Sequence, residues 1–222
     1  MINNRLIYIN LIIFGVLSFI LIFDKNIDIL ISSLFYIKNV GFIYKNNFFI
    51  ISFYYLIPIL TKIFFTICTC YLIYLFFKTK NFKIIIASYA FFLVLSAAIG
   101  PGLIVNSILK ENIGRARPRE IIEFGGDKIY SGAARSSNQC YSNCSFSSGH
   151  AAMGFYFTVI AYIFQRKFTK IYLYGVLFGI LVGISRIIMG GHFASDVIIS
   201  GFILLFTNHL IYILWQKYRL KI

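Results

Sequence analysis

The sequence predicts an all-α polytopic membrane bundle, on the strength of three observations. Hydrophobic residues make up 59% of the 222-residue chain and charged residues only 13%, against about 45–50% and about 25% in a soluble domain. The apolar residues gather into six long runs, each near the ~20 residues that cross a bilayer as helix. The charges between those runs are sorted by sign. Composition alone excludes a soluble enzyme, a disordered tail and a secreted disulfide scaffold.

The first run, 6–23, follows Arg5; no small-x-small cleavage site comes after it, so it reads as a retained anchor. A mixed stretch, 24–47, carries Asp24, Lys25, Asp28, Lys38 and Lys45 among apolar residues and predicts an interfacial helix or loop. The second span is expected at 55–77, with Pro58 where a first helical turn accepts proline. The third is expected at 84–109, and a polar loop, 110–147, follows it. The fourth, fifth and sixth are expected at 148–165, 171–189 and 193–215. No repeat or low-complexity linker divides the chain, so 1–222 reads as a single membrane domain.

Orientation follows from the connecting segments. One set of ends holds Arg5, then Lys78, Lys80 and Lys83, then Arg166, Lys167 and Lys170, then Lys217, Arg219 and Lys221. All seven acidic residues fall on the other side. The positive-inside rule therefore predicts six spans with both termini in the cytoplasm, and the 110–147 loop outside. That loop is nevertheless basic, with Lys110, Arg115, Arg117, Arg119, Lys128 and Arg135. The net charge of +14 is not that of a nucleic-acid binder, because no long soluble face gathers it. An anion bound at the outer face accounts for it better. No nucleic-acid partner is expected, and no obligate protein partner is inferred.

Three segments meet at that outer face: Lys110 with Arg117-Pro118, Ser147-Ser148-Gly149-His150, and Ser185-Arg186 followed by His192 and Asp196. The chemistry they suggest is phosphoryl transfer. His192 and Asp196 are four apart, one above the other on a helix face. Asp196 is expected to accept the Nδ1 proton and free Nε2 to attack. His150 is placed to protonate the departing oxygen. Ser147, Ser148 and Gly149 precede a helix and form an anion site at its N-terminus. Lys110, Arg117 and Arg186 neutralise phosphate oxygens.

These segments resemble the signature of the type 2 phosphatidic acid phosphatase family: Lys-x6-Arg-Pro, Pro-Ser-Gly-His and Ser-Arg-x5-His-x3-Asp. The match runs from Lys110 to Asp196, and six spans fit the membrane branch rather than the soluble haloperoxidases. It departs once, with Ser147 where proline is usual. The resemblance implies metal-independent, cofactor-free hydrolysis through a phosphohistidine at His192, with His150 as acid. Lys110, Arg117, Ser148, Gly149, Arg186 and Ser185 would hold the phosphate. It also implies a membrane-lipid substrate cleaved at the periplasmic face of a bacterial inner membrane. Compact length and a basic outer loop are most similar to members acting on lipid A, chiefly at the 4′-phosphate. Undecaprenyl diphosphate, phosphatidylglycerophosphate, phosphatidate and the lipid A 1-phosphate are the alternative substrates. A transporter or lipid-binding protein that kept the pocket is a further reading.

Other residues read less sharply. Lys62, inside the second span, either snorkels outward or binds a second substrate anion in the cavity. Arg115 and Arg119 are each an indirect phosphate contact or a solvated loop charge. His209 reads as structural. Gly175, Gly179 and Gly183 form a small-residue ridge for helix packing. Cys68 and Cys70 lie in the membrane and read as inert. Cys140 and Cys144 are expected to pair in an oxidising compartment, and Asn143-Cys144-Ser145 fits a glycosylation sequon.

Overall fold

The computed structural model describes residues 2–24 and 26–221; Met1, Lys25 and Ile222 lie outside them. Helix α1, Asn4–Phe23, is capped by Asn3, whose Oδ1 accepts from the Leu6 N–H at 3.1 Å. The mixed stretch forms α2, Asn26–Ser33, and a two-stranded hairpin pairing β1, Tyr36–Ile37, with β2, Gly41–Phe42. A long α3, Phe48–Thr79, follows, capped by Asn47. The third expected span is built from α4, Phe82–Ala87, α5, Tyr89–Ala97, a π-helical segment, Ala98–Leu109, and the short α6, Lys110–Asn112. Pro101 lies in the π-helical segment, and the Asn106 side-chain amide donates to its carbonyl at 2.7 Å. Proline removes a rung of the α ladder, and widening to i+5 re-satisfies the acceptors.

Beyond the polar loop come α7, Gly149–Tyr156, a 3₁₀ continuation, Phe157–Tyr162, then α8, Phe168–Ile188, and α9, Ala194–Arg219. Among the described residues, five helical stretches are long and apolar enough to cross a membrane: Asn4–Phe23, Phe48–Thr79, Tyr89–Asn112, Gln165–Ile188 and Ala194–Arg219. The expected fourth span is the exception. It is a short α-helix tightened into a 3₁₀ turn, and the count of six is not reached by length and apolarity. The cause is local. Buried Asn208 donates to the Tyr156 carbonyl at 3.2 Å and to the Thr158 hydroxyl, which itself donates to the Phe155 carbonyl. These contacts compete with the α ladder.

Pro58 also sits differently from expectation. Because α3 starts at Phe48 rather than near 55, proline falls in the helix interior. It cannot supply the N–H that would bond the Tyr54 carbonyl.

α7 and its continuation form the centre of the bundle: Ala151, Ala152, Phe155, Tyr156 and Val159 are fully buried. The glycine ridge of α8 packs on them. A Cβ at Gly175 would meet Thr158, one at Gly179 would meet the Phe155 ring, and one at Gly183 would meet Val197 of α9. α3 keeps only 11% of its apolar window buried, against 61% for α9, so α3 presents its outer face to lipid.

The cation-rich ends converge at one end of the bundle. The Asn3 amide donates to Thr169 at 3.4 Å, the Arg219 guanidinium lies 4.6 Å from the Tyr89 ring centre, and the Trp215 indole donates to the Ile86 carbonyl at 2.7 Å. At the opposite end, the hairpin and the polar loop close over α9 around a second apolar cluster of Phe42, Ala116, Ile121, Phe124 and Phe193. The Arg119 N–H donates to the Gly190 carbonyl at 3.1 Å, pinning the loop to the α8–α9 turn. Cys140 and Cys144 are bonded within that loop.

Candidate active site

The floor of the site is a buried charge network. Arg115 has no exposed surface. Its Nη1 donates to Asp196 Oδ1 at 2.5 Å and to Ser195 Oγ at 2.8 Å, and its Nη2 donates to Asp28 Oδ2 at 2.7 Å. Asp28, from α2, also accepts from the Ser195 N–H at 2.9 Å. The Arg115 guanidinium lies 4.1 Å from the Phe193 ring centre. Burial opposes its charge, but Asp196 and Asp28 outweigh that and hold its pKa above the ordinary value. Two carboxylates against one guanidinium leave one net negative charge beneath the site. Arg115 therefore neither touches phosphate nor lies in solvent.

His192 stands on this floor, 2% exposed. Its Nδ1 lies 2.7 Å from the Ser145 carbonyl and 3.7 Å from Asp196 Oδ2. The direct Asp196 acceptor expected from the spacing is thus replaced by Ser145. Asp196 caps the start of α9, accepting from the Phe193 N–H at 2.8 Å and from Ser145 Oγ at 2.5 Å. Those bonds turn the carboxylate away, so it acts on His192 through Ser145 and through its charge. A carbonyl can only accept, so Nδ1 must carry the proton and Nε2 the lone pair. Burial, partly offset by Asp196, lowers the His192 pKa to about 4. The ring is neutral at neutral pH.

His150, at the first turn of α7, is held from α3. Its ring stacks on Tyr54 with centres 4.9 Å apart and planes at 15°, and the Tyr54 backbone favours its protonated form. Pro58 leaves the Tyr54 carbonyl without a helical N–H. His150 Nε2 is buried with no partner. The same ring also meets the Arg186 guanidinium, 4.7 Å from its centre. Tyr54 therefore positions an acid candidate and an anion-binding candidate together.

The roof is cationic. Arg186 is buried, yet its Nε–H has no partner and its Nη1 contacts only the Met189 sulfur, at 3.2 Å. Arg117 donates to the Asn143 carbonyl at 2.6 Å. Burial and Arg119 lower its pKa from the ordinary value. Lys110 is close enough to feel the repulsion of both arginines. It lines a cavity of about 220 Å³ with Asn106, Gly149 and His150. Unpaired buried cations are costly, and an anion is the group that would satisfy them.

The remaining sequence candidates separate. Ser148 Oγ accepts from the Ala151 N–H and caps α7. Gly149 leaves room for Asn106, whose Oδ1 would lie 2.8 Å from a Cβ there. Ser147 Oγ is buried without a partner, and the Phe146–Ser147 peptide is cis. Ser185 donates back to the Val182 carbonyl at 2.6 Å, so its hydroxyl proton is already engaged. Lys62 is exposed on the surface of α3, while its neighbour Thr61 lines the cavity. His209 packs between Tyr8 and Tyr162 as a structural residue.

The sequence is similar to those of known proteins. The PAP2 superfamily model matches residues 89–220. The chain belongs to the PAP2 superfamily. Among similar proteins, the lipid A 4′-phosphatase of Francisella tularensis subsp. novicida is 37% identical over 62% of this chain and 63% of its own. That of Rhizobium leguminosarum is 36% identical over 46% of this chain and 44% of its own. The lipid A 1-phosphatase of Rhizobium johnstonii is 36% identical over 51% of this chain and 41% of its own. The matches thus span less than two thirds of these relatives. No solved structure matches the chain.

Asp28, Tyr54 and Asn106 lie outside the three motifs and were not legible as site residues. Asp28 alone carried a signal, as a carboxylate in an otherwise apolar segment.

Proposed function

We propose that this PAP2 chain is, as one membrane domain, a metal-independent phosphatase of a membrane lipid. The observation that carries the reading is a neutral buried His192, its Nε2 lone pair free, beneath three cations with no carboxylate partner. Nε2 attacks phosphorus and the P–O bond to the lipid breaks. His150, which burial holds neutral in the free protein and which takes up a proton with the anionic substrate, gives that proton to the departing oxygen, and the resulting phosphohistidine is balanced by the net negative floor. Water then attacks phosphorus, His150 takes its proton, and the P–N bond breaks to release inorganic phosphate. Lys110, Arg117 and Arg186 stabilise the equatorial oxygens, each worth about 3–4 kcal/mol of barrier by analogy with oxyanion-hole donors.

The segregation of cations at the far end of the bundle supports an active site on the periplasmic side of a bacterial inner membrane. The substrate favoured is lipid A, at its 4′-phosphate, because relatives carrying that name cover the longest match. The test is to express the protein in a Gram-negative host and examine extracted lipid A by tandem mass spectrometry beside His192→Ala. Loss of one phosphate with the wild type alone, at the 4′-position by fragmentation, is expected. Unchanged lipid A with well-expressed protein moves the assignment to undecaprenyl diphosphate or a glycerophospholipid.

A further inference from the structure

A second cavity, of about 480 Å³, opens beside the catalytic groups, between the hairpin, α3 and the polar loop. Arg117 and Arg186 form its inner wall, and its outer wall carries Lys45 and Arg119. No carboxylate lines it. Lys45 follows the hairpin and Arg119 follows the first motif; neither belongs to the signature, and neither forms an ion pair among the described residues. The backbone fixes both: Lys45 N–H donates to the Phe42 carbonyl, and Arg119 N–H to that of Gly190.

Size decides what this space is for. A transferred phosphate fills a volume of two or three waters, each about 30 Å³, and the catalytic groups already surround it. A cavity of about 480 Å³ falls within the ~300–1,000 Å³ that holds a ligand of many atoms. Its walls include Tyr36 and Tyr55. Tyrosine rings offer an apolar face with a polar tip, which suits a sugar ring, apolar on its C–H face and hydroxylated at its edge. Cations on an exposed rim, unpaired and converging, suit an anion rather than an uncharged lipid head.

We infer that this cavity is a head-group subsite that holds an acidic sugar beyond the scissile phosphate, with Lys45 and Arg119 pairing a second anionic group on that sugar. The inference rests on the phosphatase reading above and deepens it. Lys45 and Arg119 are specificity residues: they act on which lipid is chosen, through KM.

The experiment uses purified full-length protein in mixed micelles and reads phosphate release from bisphosphorylated lipid A and from phosphatidate, whose head group is the phosphate alone. The ratio of kcat/KM for the two lipids is compared between wild type and a Lys45→Gln/Arg119→Gln double variant. Two exposed ion pairs of ordinary strength correspond to about a tenfold fall in that ratio, carried by KM on lipid A with kcat retained. A Lys45→Arg/Arg119→Lys variant should restore most of it, which separates lost charge from lost folding. An unchanged ratio, or equal loss on both lipids, overturns the inference and leaves the phosphatase assignment intact. A wild type that cleaves phosphatidate as readily as lipid A overturns it too. Release from no lipid overturns the proposed function itself.

Discussion

Arg115 and Arg117 stand two residues apart on one loop, yet Arg115 is wholly buried against two carboxylates, while Arg117 is half-buried with none. Residues two apart on a fully extended chain share a side, so the backbone must turn between these two arginines to part them. One arginine is turned toward α2 and α9, where it completes the floor, and the other toward the cavity, where it meets a ligand. The same residue type serves stability in one place and anion binding in the other, and its partners decide which.

The comparison breaks most visibly at Arg115. Arg115→Met strands Asp28 and Asp196 as buried, unpaired carboxylates, and about 3–5 kcal/mol of stability should be lost, read as a lower thermal midpoint in detergent. Arg117→Met should instead cost about 3–4 kcal/mol of barrier, a 10²–10³-fold fall in kcat/KM, with the midpoint unchanged or raised. Equal destabilisation by the two variants would erase the distinction between floor and roof.

Cys140→Ser sharpens the contrast within the loop, because Asn143, the Arg117 partner, sits inside the bonded segment. Closing a loop with a separation of four residues is worth about 2 kcal/mol, and its loss should raise KM along with lowering the midpoint. A smaller effect is expected at Pro58. Pro58→Ala restores a helical N–H to the Tyr54 carbonyl and weakens its pull on the protonated His150 ring. The helix should become more stable while kcat falls several-fold; a gain in both would remove Tyr54 from the account.

Protonation of His192 gives a further check. Its folded pKa of about 4 lies below the unfolded value near ~6.5, so the unfolded chain binds more protons between these two values. Stability contributed by this group is full above the upper value and is lost as pH falls through the window. ¹⁵N shifts of labelled histidine at about pH 5.5 should show a neutral ring with Nδ1 protonated, and an imidazolium would contradict the Ser145 contact.

Much of this molecule was legible in the sequence because membrane constraints act locally. Apolar runs mark helices, and the sign of the charge between them sorts the ends, which is why the boundaries of α1, α8 and α9 were anticipated within a few residues. The fourth stretch departs from a regular α-helix because Asn208, distant in sequence, engages Tyr156 and Thr158. Pro58 was misplaced because the polar residues before α3 hid a helix start at Phe48. In the site, the motifs disclosed the reacting groups but not their orientation. The i+4 spacing of His192 and Asp196 allowed a direct bond, and only the tertiary position of Ser145 replaced it. Asp28 meets Arg115 across 87 positions, a pairing that no local pattern encodes.

The most direct test of the account is to trap the covalent intermediate on His192. Purified protein turning over a lipid phosphate should be quenched rapidly in alkali, where phosphohistidine survives, and mapped by tandem mass spectrometry. Phosphate on His192, absent from His192→Ala, is the predicted result. Phosphate release from the lipid with no label on His192 at any time would contradict it.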